Sequence, residues 1–191
     1  MFLLDQRYWK IKETVGKGRG IFACKTILAG TIVGDYLGMI VDNAEYDLAQ
    51  DTKGLYLMYL SDRASIYPDF DQPGIYLMNH SCRPNCGMYV YRGHTLFFAI
   101  QKIMPNEELT ISYMLSPNIC KSCTHQCKCG LATCSGTMHL SEEKYVLWEN
   151  YQNRLRKLTK ISRFQVGKKL KSLAAYPTRI PVNPIYKELS I

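Results

Sequence analysis

The run NHSCRPNC, residues 79–86, carries the strongest signal in this 191-residue sequence. It follows the apolar run 75–78 directly and packs hydrogen-bonding side chains, two thiols and a proline together. Polar groups that leave a buried strand must find partners inside the protein, so such a run is typical of either a structural knot or a binding site. Taken alone, Ser81 and Asn85 would only pin loop backbone, and His80 would be an ordinary buried histidine.

Two further runs lie on either side of it in the chain. The run EELTISY, residues 107–113, predicts a strand that ends at Tyr113. The run KGRGIFA, residues 17–23, leaves the backbone uncovered at two glycines. It lacks the longer glycine pattern of a dinucleotide site, so a Rossmann fold is disfavoured.

Cysteines are concentrated after Tyr113. The chain has eight, and five of them lie within 120–134. Because no signal peptide is evident, we expect an intracellular protein, cytoplasmic or nuclear, whose thiols bind metal or stay free instead of forming disulfides. Thiolates bind zinc tetrahedrally, so five local cysteines exceed the four ligands of one ion. Either one of them is idle, or the ligand set includes a cysteine elsewhere.

In this order, these four segments resemble the SET-domain lysine methyltransferases, and the cysteine run resembles the post-SET zinc module of that family. The resemblance implies an α+β, β-rich fold of several small β-sheets with a pseudoknot, in which the chain near Tyr113 threads beneath the loop 79–85. It also implies three parts: a SET domain over 7–115, a post-SET zinc-binding segment over 116–138, and a C-terminal helix with a basic tail over 139–191.

The resemblance further implies the activity and the site. The protein would transfer a methyl group from S-adenosylmethionine to a lysine of a histone or another basic protein. Tyr113 would be the catalytic tyrosine, and Tyr36 would line the lysine channel. The implied cofactor-binding residues are Gly18, Arg19, Gly20, Ile21, Tyr76, Asn79, His80 and Tyr113. The implied ligands of a structural zinc ion are Cys82, Cys127, Cys129 and Cys134.

Local patterns predict further elements. Asp42 with Glu45 three residues later resembles a capping box, which predicts a short helix to about residue 50. Short strands are expected over 55–60 and 65–67, with a hairpin formed by 89–91 and 95–100. Ser141 is expected to cap a helix with one face of helically spaced residues. That face consists of Tyr145, Trp148, Gln152, Leu155 and Leu158.

The net charge of +8 is concentrated in the basic C-terminal arm, residues 150–191, in which Glu188 is the single acid. We expect these basic residues to form a solvated helix face and tail. Contact with an acidic or nucleic-acid surface is the alternative, but aromatic residues do not alternate with the basic ones as in single-strand binders. No apolar run approaches the length of a membrane span, so a membrane partner is not expected.

Two other classes of function compete with the enzyme. One is a catalytically silent SET-like module that binds protein or nucleic acid through the basic arm. The intact pair Asn79-His80 and the tyrosines at 36 and 113 argue against it, because a silent relative need not keep them. The other is a small zinc-finger nucleic-acid binder, which leaves residues 1–119 unexplained.

Overall fold

A computed structural model describes residues 1–45, 56–117, 125–158 and 165–190. In these ranges the chain forms ten short strands and two α-helices. The strands are β1 Trp9–Thr14, β2 Gly18–Ala23, β3 Ile32–Asp35, β4 Gly38–Asp42, β5 Met58–Tyr59, β6 Ala64–Pro68, β7 Asn79–His80, β8 Cys86–Tyr91, β9 His94–Ala99 and β10 Glu108–Ile111. The helices are α1 Glu142–Leu158 and α2 Ile185–Leu189, and short 3₁₀ turns cover Gln6–Tyr8 and Ile75–Leu77.

The strands form three small sheets. One has the order β1-β2-β10-β7, in which β10 and β7 are parallel and the other pairs are antiparallel. The second has the order β3-β9-β8, and the third the order β4-β6-β5. Many short strands with few helices match the α+β, β-rich fold that the sequence predicted.

The hydrophobic core is centred on strand β9, which is buried along its whole length. Phe97 and Phe98 are at most 1% exposed, and Ile21 and Leu109 join the core from the first sheet. Because β9 lies between β3 and β8 and both of its faces are covered, its residues do not alternate between apolar and polar. The core therefore connects the first two sheets directly beneath residues 79–86.

The predicted hairpin is confirmed as strands β8 and β9. Its turn is formed by Arg92 and Gly93, which have φ angles of 49° and 81°. Positive φ at both turn residues matches the right-handed twist of the flanking strands. The strands expected over 55–60 and 65–67 are confirmed as β5 and β6, with residue 55 outside the described residues.

Two local predictions need correction. Asp42 is the last residue of strand β4, and its carboxylate accepts a hydrogen bond from the backbone N–H of Ala44 at 2.9 Å. It therefore caps a turn over residues 43–45, and the remainder of the expected helix lies outside the described residues. In α1, Ser141 does accept a hydrogen bond from the Lys144 N–H. The predicted helix face, however, included Leu158, which is 82% exposed and therefore does not pack with the rest of that face.

Among the helices that the structure describes, none has both the length and the apolar character that a membrane span requires.

The basic C-terminal arm is not a solvated tail over residues 165–190, contrary to expectation. The N–H of Leu170 donates to Gly38 at 2.8 Å, so this part of the arm runs along the edge of strand β4. Helix α2 begins directly after Pro184. The buried apolar side chains of this part of the arm are Leu170, Ile180, Ile185, Tyr186 and Leu189. Its basic side chains remain exposed, so charge and packing lie on opposite faces.

Candidate active site and zinc site

The loop 79–85 holds strand β10 by backbone and side-chain hydrogen bonds. Strand β7 pairs with β10 in parallel, and the Ser81 N–H donates to the carbonyl of Ile111 at 2.8 Å. The Asn85 amide donates to the carbonyl of Glu108 at 2.8 Å and accepts from the N–H of Thr110 at 2.9 Å. This arrangement, called the crossing below, places the loop against β10, which agrees with the predicted passage of the chain near Tyr113 beneath the loop.

His80 is linked to Tyr113 at the end of the crossing. The Tyr113 N–H donates to His80 Nδ1 at 3.2 Å, and the two rings meet edge to face with centroids 5.3 Å apart. Burial, with the positive charge of Lys17 second, lowers the pKa of His80 to about 4. The imidazole is therefore neutral near pH 7, which agrees with Nδ1 acting as a hydrogen-bond acceptor.

The phenol of Tyr113 lies beside two other phenols. Its hydroxyl donates to the carbonyl of Met78 at 3.4 Å, and that of Tyr36 donates to the carbonyl of Tyr56. Burial raises the pKa of Tyr113, and the neighbouring Tyr56 phenol adds to the rise. Burial also raises the pKa of Tyr36 well above its ordinary value, with Tyr113 as the next contributor. Both hydroxyls thus stay protonated at neutral pH and can donate hydrogen bonds but cannot act as strong bases.

An aromatic cluster adjoins these phenols. It consists of Tyr56, Tyr67, Phe70 and Tyr76, whose rings meet edge to face at centroid distances of 5.0–5.8 Å. Such rings offer an apolar wall with few polar atoms. The Tyr76 hydroxyl donates to the carbonyl of Gln72 at 3.1 Å. Burial raises the pKa of Tyr76, while the positive charge of nearby Arg19 opposes the rise.

The glycine run of β2 meets Asn79 through Glu108. The Asn79 amide donates to a Glu108 carboxylate oxygen at 2.8 Å and to the carbonyl of Arg19 at 3.2 Å. The other carboxylate oxygen of Glu108 pairs with Lys17 at 2.5 Å, and both side chains are mostly buried. A Cβ on Gly20 would lie 2.6 Å from Glu108 Oε1, so a larger residue would displace the side chains of this network.

The rest of that run divides between the surface and the core. Gly18 is exposed, has a φ of +72° and has no atom within 4 Å of where a Cβ would be. Arg19 is also exposed, whereas Ile21 is fully buried and pairs with Leu109. The backbone at 18–19 is therefore the part of the run that is open to a ligand.

A cavity of about 520 Å³ lies beside His80. This volume is within the range of roughly 300–1,000 Å³ that is usual for small-molecule sites. Its walls come from the loop 79–85, the chain after β10, the segment 135–141, helix α1 and helix α2. The lining residues are His80, Cys82, Ser112, Ser135, Thr137, Met138, His139, Leu140, Ser141, Lys144 and Leu189.

Four thiols meet at the edge of this cavity. The Sγ atoms of Cys82, Cys127, Cys129 and Cys134 all lie within 4.8 Å of one another. Cys82 Sγ is 3.5 Å from that of Cys127 and 3.8 Å from that of Cys134. In a tetrahedral site with Zn–S bonds of about 2.3 Å, the sulfurs lie roughly 3.8 Å apart. The four-cysteine cluster could therefore bind zinc, and Cys82 makes up the set that the local cysteines left uncertain.

Comparison with known proteins agrees with this geometry. The family model for the SET domain matches residues 18–114, about half of the chain. The chain belongs to the SET-domain family. The matched range contains the glycine run, the loop 79–85 and Tyr113, and it ends before the cysteine segment.

Curated relatives carry the same domain in longer chains. An H3 lysine-9 specific histone-lysine N-methyltransferase of Schizosaccharomyces pombe is 34% identical over 156 residues, covering 66% of this chain and 32% of the relative. Human histone-lysine N-methyltransferase 2B is 31% identical over 138 residues, covering 64% of this chain and 5% of the relative. The chain thus spans about a third or less of the length of these relatives.

A solved structure shares the fold. The crystal structure of KRYPTONITE in complex with mCHG DNA and SAH has a TM-score of 0.55 and 21% identity, covering 68% of this chain and 28% of that chain. At this identity the likeness extends to the fold alone. It agrees with the predicted SET-like arrangement of small sheets.

The structure brings most of the sequence-derived site residues together in two groups. Arg19, Gly20 and Asn79 share the Glu108 network, while Tyr36 and Tyr113 lie together beside the aromatic cluster. Of the implied cofactor-binding residues, His80 alone lines the 520 Å³ cavity among the residues described. Cys120 and Cys123 lie outside the described residues.

Some residues at the site escaped sequence reasoning. Glu108 stands in the quoted run 107–113, but a carboxylate next to another one gave no reason to expect contacts with both Lys17 and Asn79. Lys144 and Leu189 lie after the last cysteine, Cys134, and belong to none of the motifs. The buried Asp35 carboxylate accepts hydrogen bonds from His94 Nδ1 at 2.7 Å and from the Tyr176 hydroxyl at 2.8 Å. The sequence did contain a signal for Asp35, because this acid directly precedes Tyr36, one of the predicted site residues.

Proposed function

We propose that this protein transfers a methyl group from S-adenosylmethionine to a lysine side chain of a protein substrate. The observation that carries the proposal is the junction at the end of β10. There the backbone of Tyr113 binds His80, which lines the cavity, while its phenol lies beside Tyr36 and the aromatic cluster. Tyr113 thus stands between a nucleoside-sized cavity and an apolar wall that suits the aliphatic part of a lysine side chain.

The donor would occupy the cavity and the open backbone of β2. His80 and Ser112, with the segment 135–140, would hold its nucleoside end in the 520 Å³ cavity. The backbone of Gly18, Arg19, Gly20 and Ile21 would hold its amino-acid end, with Tyr76 nearby. Asn79 would contribute main-chain atoms, because its side-chain amide already binds Glu108 and Arg19. When bound, the donor supplies a sulfonium methyl group to a neutral amine.

The aromatic wall would favour the neutral, reactive form of the substrate lysine. Lysine has an ordinary pKa of about 10.4, so most of it is protonated near pH 7. Desolvation against Tyr36 and Tyr56, beside a cationic sulfonium, would lower that pKa and favour the neutral amine. Tyr113 stays protonated because of its raised pKa, so its hydroxyl can donate a hydrogen bond and orient the reactants. Alignment would then provide much of the catalysis.

The four cysteines would hold one structural zinc ion. Their sulfur separations fit a tetrahedral site, and four thiolates leave no open position for chemistry. Bound zinc would fix the segment 125–140 against the loop 79–85, and that segment supplies one wall of the cavity. We accordingly propose the division into a SET domain (7–115), a zinc-binding post-SET segment (116–138) and a C-terminal part (139–191).

Histones or other basic proteins are the proposed substrates, since the curated relatives are named histone-lysine methyltransferases. An intracellular, usually nuclear, location follows from such substrates. The exposed basic side chains of the C-terminal arm would contact an acidic or nucleic-acid surface, in which case binding should weaken steeply with salt. The alternative, a catalytically silent module, would bind such a surface without methylating it.

The test is incubation of the purified protein with S-adenosylmethionine carrying a labelled methyl group, together with histone H3 and other basic proteins. Mass spectrometry should locate the label on a lysine Nζ atom. Binding of the donor without label transfer to any protein would favour the silent module. Absence of donor binding would refute the proposal altogether.

A further inference from the structure

The cavity beside His80 has one wall that no SET or post-SET motif supplies. Lys144 comes from the first turn of helix α1, and Leu189 is the last residue of helix α2. Both residues lie outside the range 18–114 that the family model matches. The C-terminal part of the chain therefore contributes to the same cavity as the loop 79–85.

Helix α2 is fixed in this position by Tyr186. The side chain is 3% exposed, its hydroxyl donates to the carbonyl of Met88 at 2.6 Å, and its ring lies 5.4 Å from that of Phe98. A Cβ on Gly87 would lie 2.6 Å from the Tyr186 ring, so the helix seats against a position that has room only for glycine. The wall is thus part of the folded core.

Lys144 joins the two helices at the cavity. Its Nζ atom donates to the carbonyl of Ser190 at 3.0 Å, and Ser190 Oγ donates in turn to the carbonyl of Tyr186 at 2.8 Å. An ammonium group has three donors, so two remain beyond the bond to Ser190. Leu189, which is 3% exposed, adds an apolar surface next to this ammonium group.

We infer that Leu189 and Lys144 are nucleoside-binding residues, and that the C-terminal part of the chain forms the outer wall of the donor pocket. This inference rests on the proposed function. A purine base is flat and apolar on its faces and carries ring nitrogens that accept hydrogen bonds at its edge. An apolar side chain beside an ammonium donor matches both features.

The experiment is isothermal titration of the full-length protein with S-adenosylhomocysteine, which carries the same nucleoside but cannot be turned over. Leu189→Ala should weaken binding about tenfold, because one buried apolar side chain typically contributes that much. Lys144→Met keeps the length and apolar stem of the side chain, and it should weaken binding severalfold through loss of the donor. The matched controls are Leu158→Ala and Lys187→Met, which change exposed residues that do not line the cavity.

Thermal unfolding of each variant separates binding from folding. Lys144→Met should unfold within a few degrees of the wild type, so its binding loss cannot be attributed to misfolding. If the wild type binds and both cavity variants bind as the controls do, the wall assignment is wrong and the proposed function stands. If the wild type itself does not bind, the proposed function and this inference both fail.

Discussion

The crossing and the cysteine segment 125–140 lie against each other but are held together by different means. The crossing is built from backbone pairing and the two hydrogen bonds of Asn85, and most of its residues are buried. In the cysteine segment no residue is buried, and the backbone pairing amounts to the isolated bridges Gln126↔Thr137 and Leu115↔His139 within the described residues. The crossing should therefore fold on its own contacts, whereas the cysteine segment depends on its four thiols.

Removing the metal should produce the largest effect, and it should be confined to one side of this comparison. Structural zinc contributes on the order of 10 kcal/mol to small metal-dependent folds. In Cys129→Ser we expect bound zinc to fall from one equivalent to well below one. Amide exchange in residues 125–140 should become at least about a hundredfold faster, as in unprotected segments. Exchange in strand β9 should stay slow.

The matched control is Cys24→Ser, which changes a partly buried thiol outside the cluster. It should retain zinc and leave exchange unchanged. Full protection of 125–140 in metal-free protein would show that this segment folds without zinc.

Asn85→Ala should give the next largest effect, now on the crossing. The substitution leaves the carbonyl of Glu108 and the N–H of Thr110 buried without their partner. Each unsatisfied buried group costs about 1–3 kcal/mol, so the free energy of unfolding should fall by roughly 2–5 kcal/mol. Urea denaturation measures this change, with the exposed Asn153→Ala as the control. A loss below about 0.5 kcal/mol, typical of surface substitutions, would contradict the role of Asn85.

The two regions should also respond oppositely to pH, with a smaller effect. Raised pKa values keep Tyr36 and Tyr113 protonated in the folded state, while unfolded tyrosine ionises near pH 10. The contribution of these two phenols to the free energy of unfolding is therefore complete below about pH 10, and it is lost as the pH rises above that value. Zinc binding weakens instead as pH falls, because protons compete for the thiolates.

Urea denaturation at pH 8 and pH 10.5 measures the alkaline loss. That loss should be smaller in Tyr36→Phe than in the wild type, since one phenol no longer ionises on unfolding. An equal alkaline loss in the wild type and Tyr36→Phe would refute the protonation argument.

Sequence reasoning was most successful where chemistry and spacing restrict a segment together. The run 79–86 predicted a structural knot or a binding site, because its polar groups had to find partners inside the protein, and the family resemblance supplied the passage of the chain near Tyr113 beneath the loop. The five local cysteines predicted a zinc site but not its ligands, which the family resemblance supplied as Cys82, Cys127, Cys129 and Cys134. The hairpin followed from its turn, where Arg92-Gly93 separates two apolar runs.

The C-terminal arm shows what local patterns could not predict. Its basic residues suggested a solvated tail, yet Ile185, Tyr186 and Leu189 are buried. Their partners, such as Met88 and Gly87, lie about a hundred residues earlier in the chain. A helix of five residues with three buried side chains is too short to show a helical periodicity in the sequence, and the prolines before it argue against a helix. Long-range packing of this kind fixed both the arm and the wall of the cavity.

We expect the phenol of Tyr113 to act where the donor cavity meets the aromatic wall. The most direct test is single-turnover methyl transfer by Tyr113→Phe, combined with titration of S-adenosylhomocysteine. The rate of methyl transfer should fall about a hundredfold or more, the usual range for a positioned catalytic hydrogen-bond donor. The dissociation constant and the unfolding temperature should stay close to wild type. If Tyr113→Phe transfers the methyl group at the wild-type rate, the Tyr113 phenol has no role in the reaction.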